Sequence, residues 1–125
     1  MMQRKKFFLE VKARDLSGRI VRMYQYLSEQ RHEKMMSKQI YRSGTSIGAN
    51  IAESRFAQST PDYISKLSIA LKEANETDYW IENLYKGQYI NEKEYESIHH
   101  DVDEIIKLLV SSIKTCKKKY GLLTP

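Results

Sequence analysis

Apolar residues recur along the chain at intervals of three and four, the mark of amphipathic helices, and no stretch alternates with the period of two that a half-buried strand needs. Over about residues 8–31 the stripe is Leu9, Ala13, Leu16, Ile20, Met23, Tyr24 and Leu27, with Gly18 as its one weak point. A second helix, about 35–57, carries Ile40, Ile47 and Ile51 and gives way to the polar turn Ala57-Gln58-Ser59-Thr60. There Thr60 reads as an N-cap, Pro61 as the first helical position and Asp62 as the acid of the first turn, which opens a third helix over 61–86. Its stripe is Ile64, Leu67, Leu71, Ala74, Asp78, Ile81 and Tyr85, and Gly87 supplies the stop. Asn91 with Glu94 predicts a capping box for a fourth helix over 92–119, with the stripe Tyr95, Ile98, Val102, Ile105, Leu109, Ile113 and Cys116, ending before Gly121 and Pro125.

Four helices of similar length joined by short connections predict an all-α fold, an antiparallel up-down-up-down four-helix bundle in a single domain over 1–125. The chain's 125 residues, 41% hydrophobic and 30% charged, suffice for one core. One cysteine excludes a disulfide framework, and Cys116, lying on an apolar stripe, reads as a packed thiol. The apolar run Phe7-Phe8-Leu9 is cut by Glu10, too short for a secretion signal, and no run approaches the ~18 apolar residues that cross a bilayer. A soluble, cytoplasmic protein is the expectation.

Charge changes the picture more than composition does. Residues 1–60 hold twelve Lys and Arg against five acids, whereas residues 61–125 hold nine against eleven. All seven arginines lie in the first half, and arginine suits bidentate phosphate recognition. Arg14, Arg19 and Arg22 are the candidate contacts to an anionic partner such as RNA. Lys117, Lys118 and Lys119 complement the dipole of the last helix and extend the basic footprint if they fold beside the arginines. Few aromatic residues sit beside these clusters, so no base-stacking platform is expected.

Two of the helices carry unusual positions. Gly44 and Gly48 sit mid-helix, at about 1 kcal/mol each relative to alanine. With Ala52 they form a smooth strip for close approach of another helix, while Ser46, Asn50 and Glu53 form a polar edge on the other flank. Asn50 and Glu53 read as a hydrogen-bonded pair tying helices together. Asp78 falls on the core stripe, where a carboxylate needs a partner, expected to be an arginine or tyrosine of a neighbouring helix. Ile69, Glu73, Glu76 and Trp80 repeat on the back of the third helix, about 180° from its core stripe, the composition of a subunit interface. The pairs Glu29/His32 and Glu96/His99 have the spacing of dimetal bundle ligands. Glu29 points outward, however, and helices two and three offer no inward carboxylates at that level. No catalytic set, metal site, cofactor motif or small-molecule substrate is evident.

The stretch Arg42-Ser43-Gly44-Thr45-Ser46-Ile47-Gly48-Ala49-Asn50-Ile51-Ala52-Glu53, with Ile69-Ala70-Leu71-Lys72-Glu73-Ala74-Asn75-Glu76-Thr77-Asp78-Tyr79-Trp80, resembles the small bacterial proteins named for open reading frames in 23S rRNA intervening sequences. The family's Asn-Ile-Ala-Glu core falls on Asn50 to Glu53. Many members have proline and glycine where Gly48 and Ser54 stand, which marks a subgroup. The resemblance implies a homopentamer of four-helix bundles without established enzymatic activity. It also implies kinship with accessory proteins of diversity-generating retroelements, which bind nucleic acid through basic surface. The resulting expectation is a non-enzymatic oligomer that binds RNA or a nucleoprotein complex; a protein-binding adaptor without nucleic-acid contact is the alternative.

Overall fold

The computed structural model describes residues 2–121, apart from the side chains of Met2, Gln3 and Lys5. Four helices follow one another, α1 (Met2–Glu29), α2 (Met36–Ser54), α3 (Thr60–Lys86) and α4 (Glu92–Lys119), and no strand occurs among the described residues. Each helix packs on its chain neighbours, and α1 closes the bundle against α4. The pairings that cross each seam run in opposite senses. Lys12 meets Glu104 while Arg19 meets Asp101; Glu10 meets Arg55 while Tyr24 meets Tyr41. On the other side Glu53 meets Lys66 while Ser43 meets Thr77, and Asp78 meets His99 while Tyr85 meets Tyr95. All four seams are therefore antiparallel, which is the up-down-up-down bundle.

The core is the set of stripes folded onto one axis: Leu16, Ile20 and Leu27 of α1, Ile40 and Ile47 of α2, Leu67 and Ile81 of α3, and Ile98, Val102, Ile105 and Leu109 of α4 are almost wholly buried. Cys116 is buried on the α4 stripe as a free thiol. The register of α3 differs from the sequence reading. Ala70, Thr77 and Leu84 are buried where Leu71, Asp78 and Tyr85 were expected, so the inward face is turned by about one residue. The cause is α2. Small residues let the two backbones close up, and the Thr77 and Ser43 hydroxyls, 3.0 Å apart and both fully buried, satisfy one another, with Thr77 also donating to the Glu73 carbonyl at 2.7 Å.

The smooth strip on α2 is covered by α1. A Cβ on Gly44 would lie 2.8 Å from Ile20 Cγ1, and one on Gly48 would lie 2.9 Å from the Ser17 hydroxyl. The helix penalty of those two glycines is thus offset by the packing they permit. The ends are set locally. Ser59, one residue before the expected Thr60, caps α3 by accepting from the Asp62 N–H at 3.1 Å. Asn91 and Glu94 form the capping box of α4. At the end of α3 the left-handed residue is Gln88 (φ 64), not Gly87 (φ −80). Gly87 is needed for space instead, since a Cβ there would press to 3.2 Å on the Tyr89 ring. Pro125, expected to mark the end of α4 with Gly121, lies outside the described residues.

The start of α2 has no capping side chain at the N-cap position, Met35. Glu33, in the connection before it, does that work. Its carboxylate accepts from the backbone N–H groups of Met35, Met36 and Ser37 at 3.2, 3.1 and 2.7 Å, and Ser37 donates back to the Glu33 carbonyl at 2.6 Å. A carboxylate only 8% exposed is thereby supplied with the donors that a helix start leaves orphaned.

Candidate interaction surfaces

The face formed by α2 and α3 gathers most of the positions that stood out in the sequence. Arg42 reaches across from α2 and pairs with Glu76, and its other terminal nitrogen lies 3.5 Å from Glu73 Oε2. Trp80 donates its indole N–H to the same Glu76 carboxylate at 3.1 Å. The four positions Ile69, Glu73, Glu76 and Trp80 therefore do not stand 180° from the core. They occupy the flank of α3 turned toward α2, where Glu73, Glu76 and Trp80 are half-buried, Trp80 packs on the core, and Ile69 is 39% exposed. The polar edge of α2 faces the same way but is not a mutual pair. Asn50 donates to the Ser46 carbonyl of its own helix at 2.9 Å, and Glu53 meets Lys66 of α3 at 3.5 Å. The spacing of three makes Asn50 and Glu53 neighbours on the helix, yet each finds a nearer partner.

Asp78 sits at the α3–α4 seam instead of in the core. Its partner is neither arginine nor tyrosine but His99, whose Nδ1 lies 2.6 Å from Asp78 Oδ1. The His99 ring stacks on Tyr95, and Tyr95 stacks on Tyr85, with centroids 5.4 and 4.7 Å apart. Burial, assisted by the Asp78 charge, pushes the Tyr95 phenol up from its ordinary value. The Glu-x-x-His spacing dissolves in the other pair, because Glu29 closes α1 while His32 takes a left-handed conformation (φ 55) in the connection. No group of three or more metal-ligating side chains converges among the described residues.

The six basic candidates do not form one patch. Arg19 is engaged, donating to Asp101 at 2.6 Å and to the Ser97 hydroxyl at 3.1 Å. Arg14 and Arg22 are exposed and make no ion pair among the described residues. Lys117, Lys118 and Lys119 end α4 twenty residues beyond the Ser97 contact, about 30 Å along the helix at 1.5 Å per residue. The lysine cluster therefore does not fold beside the arginines.

A family model described as "23S rRNA-intervening sequence protein" matches residues 6–111. The chain belongs to this family. Among solved structures, one from Bacteroides thetaiotaomicron is 54% identical to it. That structure is described as a protein with unknown function from the S23 ribosomal protein family. The match covers 88% of this chain and 98% of that one, with a TM-score of 0.87. No curated protein matches at comparable significance. The 23S rRNA-intervening sequence family thus gives the chain a fold and a kinship, and its surfaces must supply the function.

Two features of this family member escape a reading of its sequence. At the end of the bundle holding the chain's first residues, a cleft of about 560 Å³ is lined by Phe7, Leu9, Ile51, Tyr63, Cys116 and Tyr120. Burial, with smaller contributions from the neighbouring thiol and Glu10, raises the Tyr63 phenol to about 12. At the opposite end, Tyr26, Tyr85 and Tyr89 gather around Arg31, a basic side chain outside the clusters singled out in the sequence. They come from segments about sixty residues apart, and only the closure of the two connections on one another brings them together.

Proposed function

We propose that this chain is a non-enzymatic, self-associating helical bundle that binds a polyanion, most concretely RNA, through cations repeated from subunit to subunit. The observation that carries the reading is the unequal use of charge. Six of the sixteen acidic side chains, Glu10, Glu53, Glu73, Glu76, Asp101 and Glu104, are tied into ion pairs across the helix seams, and they engage five cations, Lys12, Arg19, Arg42, Arg55 and Lys66. Arg14, Arg22 and Lys118 by contrast stay exposed and unpaired among the described residues. These free cations stand on a chain whose formal net charge is +5. Self-association is supported by the α2–α3 face, where a half-buried tryptophan, an exposed isoleucine and a charge network share one surface. A homopentamer is the assembly we infer from the family resemblance.

The few phosphate contacts of a single subunit bind weakly and with steep salt dependence, and a ring multiplies them. Light scattering on the native particle, with absorbance at 260 and 280 nm on the same peak, tests both parts of this reading. Five subunit masses with co-purifying nucleic acid are expected. A nucleic-acid-free monomer that binds no RNA at low salt overturns the proposal and leaves a protein-binding adaptor as the better account.

A further inference from the structure

The connections α1–α2 and α3–α4 meet at one end of the bundle, and Arg31 is the bolt between them. Its guanidinium donates to the Tyr89 carbonyl at 2.8 Å and to the Gln88 carbonyl at 3.2 Å, and stands 5.3 Å from the Tyr89 ring centroid. The left-handed turn at Gln88 helps to present these carbonyls, and Gly87 leaves room for the Tyr89 ring. Around this bolt Tyr26, Tyr85, Tyr89, Asn91 and Glu94 line a recess of about 420 Å³. Tyr85 is held from behind by its stack on Tyr95, while Tyr26 is 45% exposed. The acidic member of the lining is occupied, since Glu94 accepts the Asn91 N–H at 2.9 Å in the capping box.

A second recess adjoins the first at Glu94, between α1 and α4, and is lined by Arg19, Arg22, Met23, Lys93 and Ser97. Arg19 is neutralised by Asp101, but Arg22 and Lys93 are exposed and unpaired among the described residues. Fixed aromatic faces beside free cations are what an unstacked nucleotide requires, a ring for its base and positive charge for its phosphates. A duplex keeps its bases stacked inside and meets only the cations.

Given the polyanion-binding reading above, we infer that this end of the bundle binds single-stranded RNA. An unpaired base lies against Tyr26 in the recess held open by Tyr85, Tyr89 and Arg31, and the flanking phosphates meet Arg22 and Lys93. Arg31 is a positioning residue, because its guanidinium is already spent on two carbonyls. The site reads the presence of a base through its π-face, which every base has.

The test compares three fluorescently labelled probes of about twelve nucleotides by anisotropy at low salt: an oligoadenylate RNA, an abasic strand of equal length, and a duplex RNA. The native protein is expected to bind the base-bearing strand on the order of tenfold more tightly than the abasic one. Tyr26→Ala abolishes that preference while leaving abasic and duplex affinities unchanged, and Tyr26→Phe preserves it. Tyr26 contributes no core contact, and native mass and circular dichroism of each variant verify that the bundle persists. Equal, salt-sensitive affinity of the native protein for base-bearing and abasic strands overturns the tyrosine site while leaving the polyanion reading intact. Binding of no probe at low salt removes both.

Discussion

Replacing either of two helical glycines by alanine adds the same methyl group, and the two substitutions are expected to act in opposite directions. At Gly18, on the outer face of α1, the nearest atom to a new Cβ is Arg22 Nη1 at 3.4 Å, the end of a flexible side chain. Nothing opposes the gain in helix propensity, so Gly18→Ala stabilises by about 0.5–1 kcal/mol. At Gly44 the new Cβ meets Ile20 Cγ1, Cγ2 and Cδ1 at 2.8, 2.9 and 3.1 Å, and Ile20 is wholly buried. Relief requires the α1–α2 seam to open by roughly 1 Å or Ile20 to leave its rotamer, an overpacking cost of about 1–3 kcal/mol. Less the same propensity gain of about 1 kcal/mol, the net is a loss of about 1 kcal/mol, and the two variants differ by about 2 kcal/mol. Urea unfolding followed by circular dichroism, at one protein concentration because the proposed self-association would contribute, should separate their midpoints by about 1 M. Ile20→Ala should make Gly44→Ala less harmful than it is alone, a coupling visible in a double-mutant cycle. If Gly44→Ala is as stable as Gly18→Ala, α1 does not pack on the α2 glycine strip and the account of that seam is wrong.

Glu33→Ala strips the start of α2 of its acceptor and should cost about 1–3 kcal/mol, with faster amide exchange at Met35 to Ser37; unchanged protection there would exclude the capping role. Ile69→Asp places a charge on the proposed subunit face without touching the core, so light scattering should find a smaller, fully helical particle, and an oligomer of native mass would move the interface elsewhere. Tyr63, raised to about 12 from 10.0, is protonated more tightly in the folded chain than in the unfolded one. Its stabilising contribution is therefore complete below pH 10 and lost as pH climbs through 12, and ultraviolet difference spectra of native protein against Tyr63→Phe should show the missing late phenolate; coincident titrations below pH 11 would contradict its burial.

Helices α1, α3 and α4 were legible because their stripes repeat at three and four residues over six or more apolar positions, long enough for periodicity to outweigh any single residue, whereas α2 shows only Ile40, Ile47 and Ile51. The glycines of α2 were legible for the converse reason, since an unfavourable residue in a long helix must be offset by packing. The α3 register was misread because two stripes run side by side. Leu71 and Tyr85 are larger than Ala70 and Thr77, yet the smaller set is inward, for the close seam with α2 admits little bulk. Asp78 at the rim and Trp80 turned toward Arg42 follow from that one-residue rotation. The cap at Glu33 is local, made with Met35 to Ser37, and was missed because the acid stands two residues before the N-cap position; the recess around Arg31 carries no local signature. That recess is assembled from Tyr26 and Arg31 on one side and residues 85–94 on the other, so it does not exist until the bundle closes.

The geometry also separates the proposed assembly face from the proposed binding end. In the closed bundle the α2–α3 face, with Ile69 and Trp80, lies opposite the α1–α4 seam, where Arg22, Tyr26 and Lys93 gather. Subunits joined as proposed through the former would leave the latter facing outward on every copy, so avidity would follow from assembly without any new contact. The two sets of variants must then dissociate. Tyr26→Ala should keep the native mass and lose only the preference for bases. Ile69→Asp should keep a modest preference for bases in the single subunit but lower the affinity for long RNA on the order of a hundredfold, because the repeat is gone. Should Ile69→Asp dissociate the particle yet bind long RNA as tightly as the native protein, the ring does not act through multivalency and the single subunit must hold the whole binding site.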